Sequence, residues 1–122
     1  MNEVENKAIK IVLEYERKQG RNPRDVSKDK TEVGYDVLSG ERKIEVKGLG
    51  RRNPFFKLNS YNFESFRKQP NFYLYLVFDI KTSPKLIIWD RLEIAEMIKK
   101  AKVYFDFEIP LRKENWESGK PV

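Results

Sequence analysis

The chain of 122 residues contains no cysteine and no histidine. These absences exclude a disulfide framework, a Cys/His zinc site, a Ser-His-Asp or Cys-His triad, and any imidazole base. Hydrolytic chemistry in this chain must therefore use carboxylates, lysine, tyrosine or a metal ion held by oxygen atoms. Hard oxygen ligands point to Mg²⁺ or Mn²⁺ as the cofactor.

Long apolar runs are also missing from the sequence. No stretch approaches the roughly 20 apolar residues that a membrane-spanning helix requires, so no membrane partner is expected. The first residues, Met1 to Glu5, are acidic and lack the apolar centre of a signal peptide. We therefore expect a cytoplasmic protein.

Positive charge is in excess. The chain has 25 basic and 19 acidic residues, which gives a net charge of +6. A basic surface favours polyanions such as nucleic acid. The length suits one domain with one modest core. We predict a single domain over residues 1–109 and a polar C-terminal tail over residues 110–122.

The periodicity of apolar residues predicts an α/β fold with a mixed central β-sheet flanked by helices. Helices are expected at 3–19, 60–69 and 91–102. Strands are expected at 34–38, 42–47, 72–80 and 85–90, with further candidate strands at 55–58 and 103–109. The run at 72–80 is almost entirely apolar, which is typical of a central strand covered on both faces. Residues 21–33 are polar and predict a loop.

One predicted hairpin carries the residues on which a chemical hypothesis can be built. Asp36 lies in its first strand, while Glu45 and Lys47 share one face of its second strand. Two carboxylates on neighbouring strands repel each other unless a cation lies between them. A divalent metal held by Asp36, Glu45 and the carbonyl oxygen of Val46 would meet this need. Lys47 would then hold the attacking water and contact a phosphate.

An acidic residue two positions before a lysine is common in a chain so rich in lysine. The same spacing occurs at Glu5 to Lys7 and at Asp79 to Lys81. The alternative interpretation of the hairpin is a solvated face, on which Glu45 and Lys47 are ordinary surface charges. Only the hairpin combines a strand, a turn, a second strand and a terminating Gly48.

The first predicted helix carries a further acidic candidate. Glu16 falls beside Val12 and Ile9 at the border of the apolar face. A carboxylate so near a core needs a partner, and the metal cluster or Lys47 would serve. The alternative is a boundary residue whose carboxylate reaches water. Glu5 has a similar angular position but ranks lower, because it lies near the fraying end of the helix.

Three stretches together resemble a known family, namely residues 8–23, Gly34 to Val37 and Ile44 to Gly48. They are similar to the small domain found at the C-terminus of plant NO VEIN proteins and in many prokaryotic proteins. That family is itself similar to the PD-(D/E)XK nuclease superfamily. The resemblance covers residues 3–90 and implies a restriction endonuclease-like core with the order α-β-β-β-α-β, followed by a C-terminal strand and helix.

The resemblance also implies roles for single residues. It assigns metal binding to Asp36 and Glu45, and it gives Lys47 the part of the catalytic lysine. It gives Glu16 the acidic role on the first helix. These roles imply a metal-dependent nuclease that acts on DNA.

Basic residues near the hairpin form a weaker candidate site. Arg51, Arg52 and Lys57 are expected to contact DNA phosphates, and the alternative is a flexible basic loop. Arg67 and Lys68 would extend this surface. Three nearby aromatic residues at helical spacing are expected to belong to the core rather than to stack on bases. They are Tyr61, Phe63 and Phe66. Trp89 is expected to pack in the core, and the role of Trp116 stays open.

These observations favour a Mg²⁺-dependent deoxyribonuclease. One alternative is a junction-resolving enzyme of the same superfamily, for which a two-fold dimer cutting paired strands would be typical. Another is a nuclease-fold module that binds nucleic acid or protein without catalysis. A small single-domain nuclease favours a homodimer, because two sites can then cut both strands.

Overall fold

The computed structural model describes residues 2–32, 34–52 and 55–121. Helices separate two groups of strands along the chain, and the sheet is formed before residue 90. In chain order the elements are α1 (Glu3–Lys18), β1 (Pro23–Asp25), β2 (Val37–Ser39), β3 (Arg42–Gly48), α2 (Ser60–Lys68), β4 (Phe72–Phe78), β5 (Lys85–Trp89), α3 (Arg91–Ile98) and α4 (Lys113–Ser118). No helix of these described ranges has the length and hydropathy needed to cross a membrane.

The five strands form one mixed sheet in the order β1-β2-β3-β4-β5. β1 to β3 are joined by antiparallel pairing, β3 and β4 are parallel, and β5 returns antiparallel to β4. A parallel pair needs a crossover connection, and α2 lies on the one between β3 and β4. The predicted mixed α/β fold with helices flanking a central sheet is therefore confirmed.

The two faces of the sheet bury separate cores. α1 covers one face, where the core contains Ala8, Ile9, Val12, Val37, Ile44, Val46, Tyr75, Val77 and Ile80. The other face is covered by α3 and part of α2, and its core contains Val26, Tyr35, Phe72, Leu74 and Ile94. Side chains alternate along a strand, so Ile44 and Val46 face α1 while Glu45 and Lys47 point to the opposite face.

Gly48 allows the start of α1 to approach the end of β3. A Cβ atom at Gly48 would lie 2.9 Å from the Cβ of Ala8 and 3.2 Å from the carbonyl oxygen of Val4. α1 is fixed at this end by Asn2, whose side chain accepts a hydrogen bond from the backbone of Glu5. This cap satisfies a helix N–H that would otherwise lack a partner. The first turn of α1 is therefore held against β3.

The helices at the start of the chain and at 60–68, and the strands at 42–48, 72–78 and 85–89, lie within one or two residues of their predicted ends. The strand expected at 34–38 begins three residues later, as β2, and the helix expected at 91–102 ends four residues earlier, at Ile98. Three other predictions are wrong. The polar segment 21–33 contains β1, which pairs with β2 and is too short to show a periodic pattern. Residues 55–58 form no strand, although Phe56 and Leu58 pack against the second core. Segment 103–109 is also not a strand, and all of its residues are exposed.

Candidate functional site

Asp36 lies one residue before β2 and is held by both neighbouring strands. Its backbone N–H donates to the carbonyl of Ile44, and its carbonyl accepts from the N–H of Val26, both at 2.8 Å. Its carboxylate accepts a hydrogen bond from the backbone N–H of Val46 at 3.0 Å. β2 begins opposite Ile44, so β3 continues past this point without a β2 neighbour. The side chain of Asp36 takes the place of that missing backbone partner.

Glu45 and Lys47 lie next to Asp36 on the same face of β3. The ammonium nitrogen of Lys47 is 3.3 Å from the carboxylate of Glu45, and the two side chains are 25% and 7% exposed. The three predicted residues are therefore brought together. Glu45 is too buried to be an ordinary surface charge, so the solvated-hairpin interpretation does not hold for it.

The surroundings of the two carboxyl groups favour a proton or a cation between them. Burial raises the pKa of Glu45 to about 8; the charge of Asp36 adds to this increase, while Lys47 opposes it. Burial also raises the pKa of Asp36, although the hydrogen bond from Val46 opposes it. Ionisation of both neighbouring carboxyl groups is unfavourable in free energy unless a positive charge lies close to them. A divalent ion would supply that charge.

Two recesses meet at this carboxylate pair. The first has a volume of about 180 Å³ and passes around the free edge of β3 towards α1. It is lined by Glu5, Ile9, Asp36, Glu45, Val46, Lys47 and Gly48. The second has a volume of about 370 Å³ and lies between residues 27–32, Gly34 and Tyr35 on one side and the start of α2 on the other. Asp36 and Glu45 line both recesses, so a ligand in either one would contact the pair.

The donor set fits a hydrated hard cation. Within residues 2–32, 34–52 and 55–121, no cluster of three or more acidic, histidine or cysteine side chains could hold a metal. Asp36 and Glu45 provide two carboxylates, and Val46, whose carbonyl is the predicted third ligand, lines the same recess. Mg²⁺ commonly binds through one or two carboxylates and keeps several waters or phosphate oxygens. The predicted ligands match this mode of binding.

Glu16 does not lie at this pair. Its carboxylate is fully buried and accepts hydrogen bonds from Arg21 at 2.6 and 2.8 Å and from the hydroxyl of Tyr75 at 2.8 Å. Burial alone would raise the pKa of Glu16, but these hydrogen bonds outweigh it and hold the pKa below its ordinary value. The expected need for a partner is met, but by Arg21 and Tyr75 rather than by Lys47 or a metal cluster.

Glu5 is an acidic residue of α1 that does reach the site. It lines the first recess, whereas Glu16 lines neither recess. The sequence placed the two glutamates at similar angles, and Glu5 ranked lower because of its position near the helix end. Asn2 was the missed signal, because its side chain caps the first turn and accepts from the N–H of Glu5 at 2.8 Å.

The predicted phosphate-binding residues are dispersed. Arg51 and Arg52 are exposed, and the guanidinium of Arg52 lies 3.4 Å from the carboxylate of Asp79. The ammonium of Lys57 lies 5.2 Å from the ring centre of Tyr104. Neither recess is lined by any of the three. Asn53 and Pro54, which follow the two arginines, lie outside the described residues.

The aromatic residues of α2 divide into two groups. Phe66 packs against Phe72 of the core, with ring centres 6.1 Å apart, as expected. Tyr61 is 64% exposed and lines the second recess, so its predicted place in the core is wrong. Phe63 is also exposed, at 42%. Trp89 stacks on Phe56 in the second core, which agrees with its predicted packing role.

The fold and the site together define an α/β domain in which a buried glutamate, a half-buried aspartate and a half-buried lysine lie together at the middle strand of the sheet. The profile of the family described as "Protein NO VEIN, C-terminal" matches residues 4–89, and the chain belongs to this family. No curated protein and no solved structure matches the chain.

Proposed function

We propose that this chain is a Mg²⁺- or Mn²⁺-dependent phosphodiesterase that hydrolyses DNA, with a restriction endonuclease-like core and a PD-(D/E)XK-type site. The observation that carries the proposal is a buried Glu45 beside the half-buried Asp36, with Lys47 held at 3.3 Å from Glu45. A domain that only bound DNA would gain nothing from two such carboxylates facing a polyanion. The observed order from α1 to β4 is also α-β-β-β-α-β, with β1 in place of the strand expected at 55–58, and this order supports the same class of nuclease.

Each residue of the site has a distinct part in the proposed reaction. Asp36, Glu45 and the carbonyl of Val46 would hold the cation, which when bound would neutralise the carboxylates and the negative charge developing on the phosphate. The backbone of β2 and β3 fixes the position of Asp36, so little ordering is needed on binding. Lys47 would donate hydrogen bonds to the attacking water and to a phosphate oxygen, and Glu45 keeps its ammonium group oriented.

The first recess gives space for the cation and its waters, and the second gives space for the substrate next to the scissile bond. The net charge of +6 would attract DNA from solution. Tyr61, exposed beside the second recess, offers a surface on which an unpaired base can stack. These features support a nucleic-acid substrate over a small phosphodiester.

The test combines metal binding with cleavage. Calorimetric titration of Mg²⁺ and Mn²⁺ is expected to show binding by the wild type, no binding by Glu45→Gln, and retained binding by Lys47→Met. Cleavage of labelled linear, circular and branched DNA is expected from the wild type and equally from Glu14→Gln, and none is expected from Glu45→Gln. We expect Lys47→Met to lose about 10²–10⁴-fold in rate. Glu14→Gln is the matched control, because Glu14 is exposed on α1.

Each outcome has a clear meaning. Selective cleavage of branched DNA would identify a junction-resolving enzyme within the same class. Salt-sensitive DNA binding without metal binding or cleavage would overturn the proposal and favour a non-catalytic binding module. Equal cleavage by the wild type and by Glu45→Gln would also overturn it, since the activity would then come from another source.

A further inference from the structure

The segment 103–109, called here the exposed segment, has the sequence pattern of a β-strand but no strand partner. Apolar residues alternate along it with Tyr104, Asp106 and Glu108. The apolar positions are Val103, Phe105, Phe107 and Ile109, with exposures of 71%, 86%, 89% and 73%. Soluble proteins rarely leave so many large apolar side chains together in water without a binding role.

In the part of the chain that the structure describes, the exposed segment lacks a neighbouring strand, and the edge of the sheet at β5 is a strand with one unpaired side. β5 is the last strand in the sheet order, so its outer backbone groups have no partner strand among the described residues. This edge has its own exposed apolar side chains, Ile87 at 38% and, at the start of α3, Leu92 at 77%. A free edge with exposed apolar residues readily accepts an additional strand.

The length and the charge of the exposed segment also match those of the β5 edge. The seven residues of the exposed segment exceed the five residues of β5, and Pro110 ends the pattern where further pairing would need a backbone N–H. The exposed segment contains Asp106 and Glu108 but no basic residue, whereas the whole chain has a net charge of +6. Lys85 lies on β5, its side chain is 51% exposed, and its ammonium is 3.8 Å from the carboxylate of Asp79, a distance that leaves it able to contact a second carboxylate. The charges therefore favour this pairing.

The exposed segment is held near this edge without lying on it. The ring of Tyr104 is contacted by the ammonium of Lys57 at 5.2 Å, and the neighbouring Phe56 stacks on Trp89 at the end of β5. The described residues after Tyr104 are all exposed. This position suits donation of the strand to another molecule.

We propose that two copies of this chain form a two-fold dimer in which the exposed segment of each copy adds as a strand to the β5 edge of the other. The exchange buries the apolar face of the segment, pairs the free edge of β5, and brings Asp106 and Glu108 near Lys85 of the second copy. A two-fold exchange is closed, because each copy gives one strand and receives one. This inference does not depend on the proposed hydrolytic function.

The first experiment measures mass in solution by sedimentation equilibrium, from low to high micromolar concentration. The wild type is expected to form a dimer, and the double variant Phe105→Asp/Phe107→Asp is expected to stay monomeric. Both side chains are exposed in the single chain, so the variant should keep its fold, which far-UV circular dichroism checks. A monomeric wild type, or a dimer that survives the double variant, would overturn the proposal.

The second experiment uses the absence of cysteine in the natural chain. Single-cysteine variants Glu108→Cys and Lys85→Cys are mixed and treated with a short bifunctional thiol reagent. A cross-linked pair containing both variants is expected, and no such product is expected when Lys10→Cys, exposed on α1, replaces Lys85→Cys. The double variant Glu108→Cys/Lys85→Cys is cross-linked at low and at high protein concentration. If only intramolecular cross-links form at both concentrations, the segment pairs with β5 of its own chain, and the proposal is wrong.

Discussion

Glu16 and Glu45 are both buried carboxylates, but their neighbours give them opposite chemistry. Glu16 accepts hydrogen bonds from Arg21 and Tyr75, which supply the stabilisation that water would otherwise give to its charge. Glu45 faces a second carboxylate, and the single contact with Lys47 leaves its pKa raised to about 8. Glu16 therefore forms a structural ion pair, whereas a bound cation would stabilise the ionised form of Glu45.

Glu16→Gln is expected to reduce the free energy of unfolding by about 1.5–3 kcal/mol at neutral pH, because Arg21 and Tyr75 would lose a charged acceptor while Arg21, 28% exposed, keeps access to water. The lowered pKa of Glu16 means that its contribution is present above pH 4.5 and is lost as the pH falls further. The difference between wild type and variant should therefore shrink in acid. Urea denaturation across this pH range measures it, with Glu14→Gln as an exposed control.

The same variant tests the placement of Glu16. Mn²⁺ affinity of Glu16→Gln, measured by calorimetry on the folded protein, is expected to equal that of the wild type because Glu16 lines neither recess. A loss of affinity as large as that of Glu45→Gln would return Glu16 to the metal site.

Glu45 should produce the opposite pH dependence in the metal-free protein. Its ordinary pKa is 4.5, and in the folded chain burial and Asp36 raise the pKa to about 8. Between these values the folded chain keeps a proton that the unfolded chain has released, so stability falls as the pH rises through this range. Unfolding in chelator at several pH values should show this decline in the wild type and a flatter profile in Glu45→Gln. Identical profiles would contradict the assignment.

Alternation and hairpin geometry were sufficient to predict that Asp36, Glu45 and Lys47 come together, because all three depend on local pairing. The partners of Glu16 depend on packing that periodicity does not describe. Tyr75 reaches it from a strand 59 residues further along the chain. Arg21 is near in sequence, but its contact with Glu16 follows from the turn after α1 rather than from helical spacing.

At the scale of elements, the loop before Asp36 is closely packed against the start of α2. Gly34 has a φ of +95°, and a Cβ atom there would lie 2.4 Å from the carbonyl oxygen of Tyr61 and 2.9 Å from the Cβ of Ser65. The side-chain amide of Asn62 donates to the carbonyl of Gly34 at 3.0 Å. These contacts fix the second recess next to the carboxylate pair.

Gly34→Ala is therefore expected to destabilise the protein more than Gly40→Ala. Both residues have positive φ, which costs an alanine about 1–2 kcal/mol. A Cβ at Gly40 meets nothing within 4 Å, whereas at Gly34 it adds a backbone clash that costs about 1–3 kcal/mol more. Denaturant unfolding of the two variants gives the comparison. Equal losses would mean that α2 does not pack on this loop in solution.

Tyr61 is expected to contribute to substrate binding if the proposed function holds. Tyr61→Ala should weaken binding of single-stranded DNA by about 5–150-fold, which corresponds to one stacked base, while Tyr61→Phe should keep the affinity. Fluorescence anisotropy in chelator measures binding without cleavage. Equal affinity of all three proteins would place the DNA outside the second recess.

Elements with several periodic turns or apolar positions were predicted from the sequence, and the short or irregular ones were not. α1 and β4 each contain a long uninterrupted pattern. β1 has three residues and is held by its pairing with β2, which no local pattern encodes. The reverse error occurred at 103–109, where a clear strand pattern has no strand beside it in the single chain.

At the scale of the whole molecule, the candidate site and the free edge of the sheet lie on different strands and have separate proposed roles. The carboxylate pair lies beside β3 in the middle of the sheet, two strands away from the free edge of β5. A change at the edge should therefore alter association without altering metal binding. This separation allows the proposed function and the proposed dimer to fail independently.

A chain ending at Ala101 is expected to keep the fold and the metal affinity of the full chain, because every described residue after Ala101 is exposed. If the dimer forms, the melting temperature of the full chain should rise with protein concentration, since association stabilises the folded state by mass action. The shortened chain should melt at one temperature at all concentrations. Calorimetric melting of both chains at matched concentrations measures this difference. A shortened chain that melts well below the full chain even at the lowest concentration would mean that the exposed segment instead packs on its own domain.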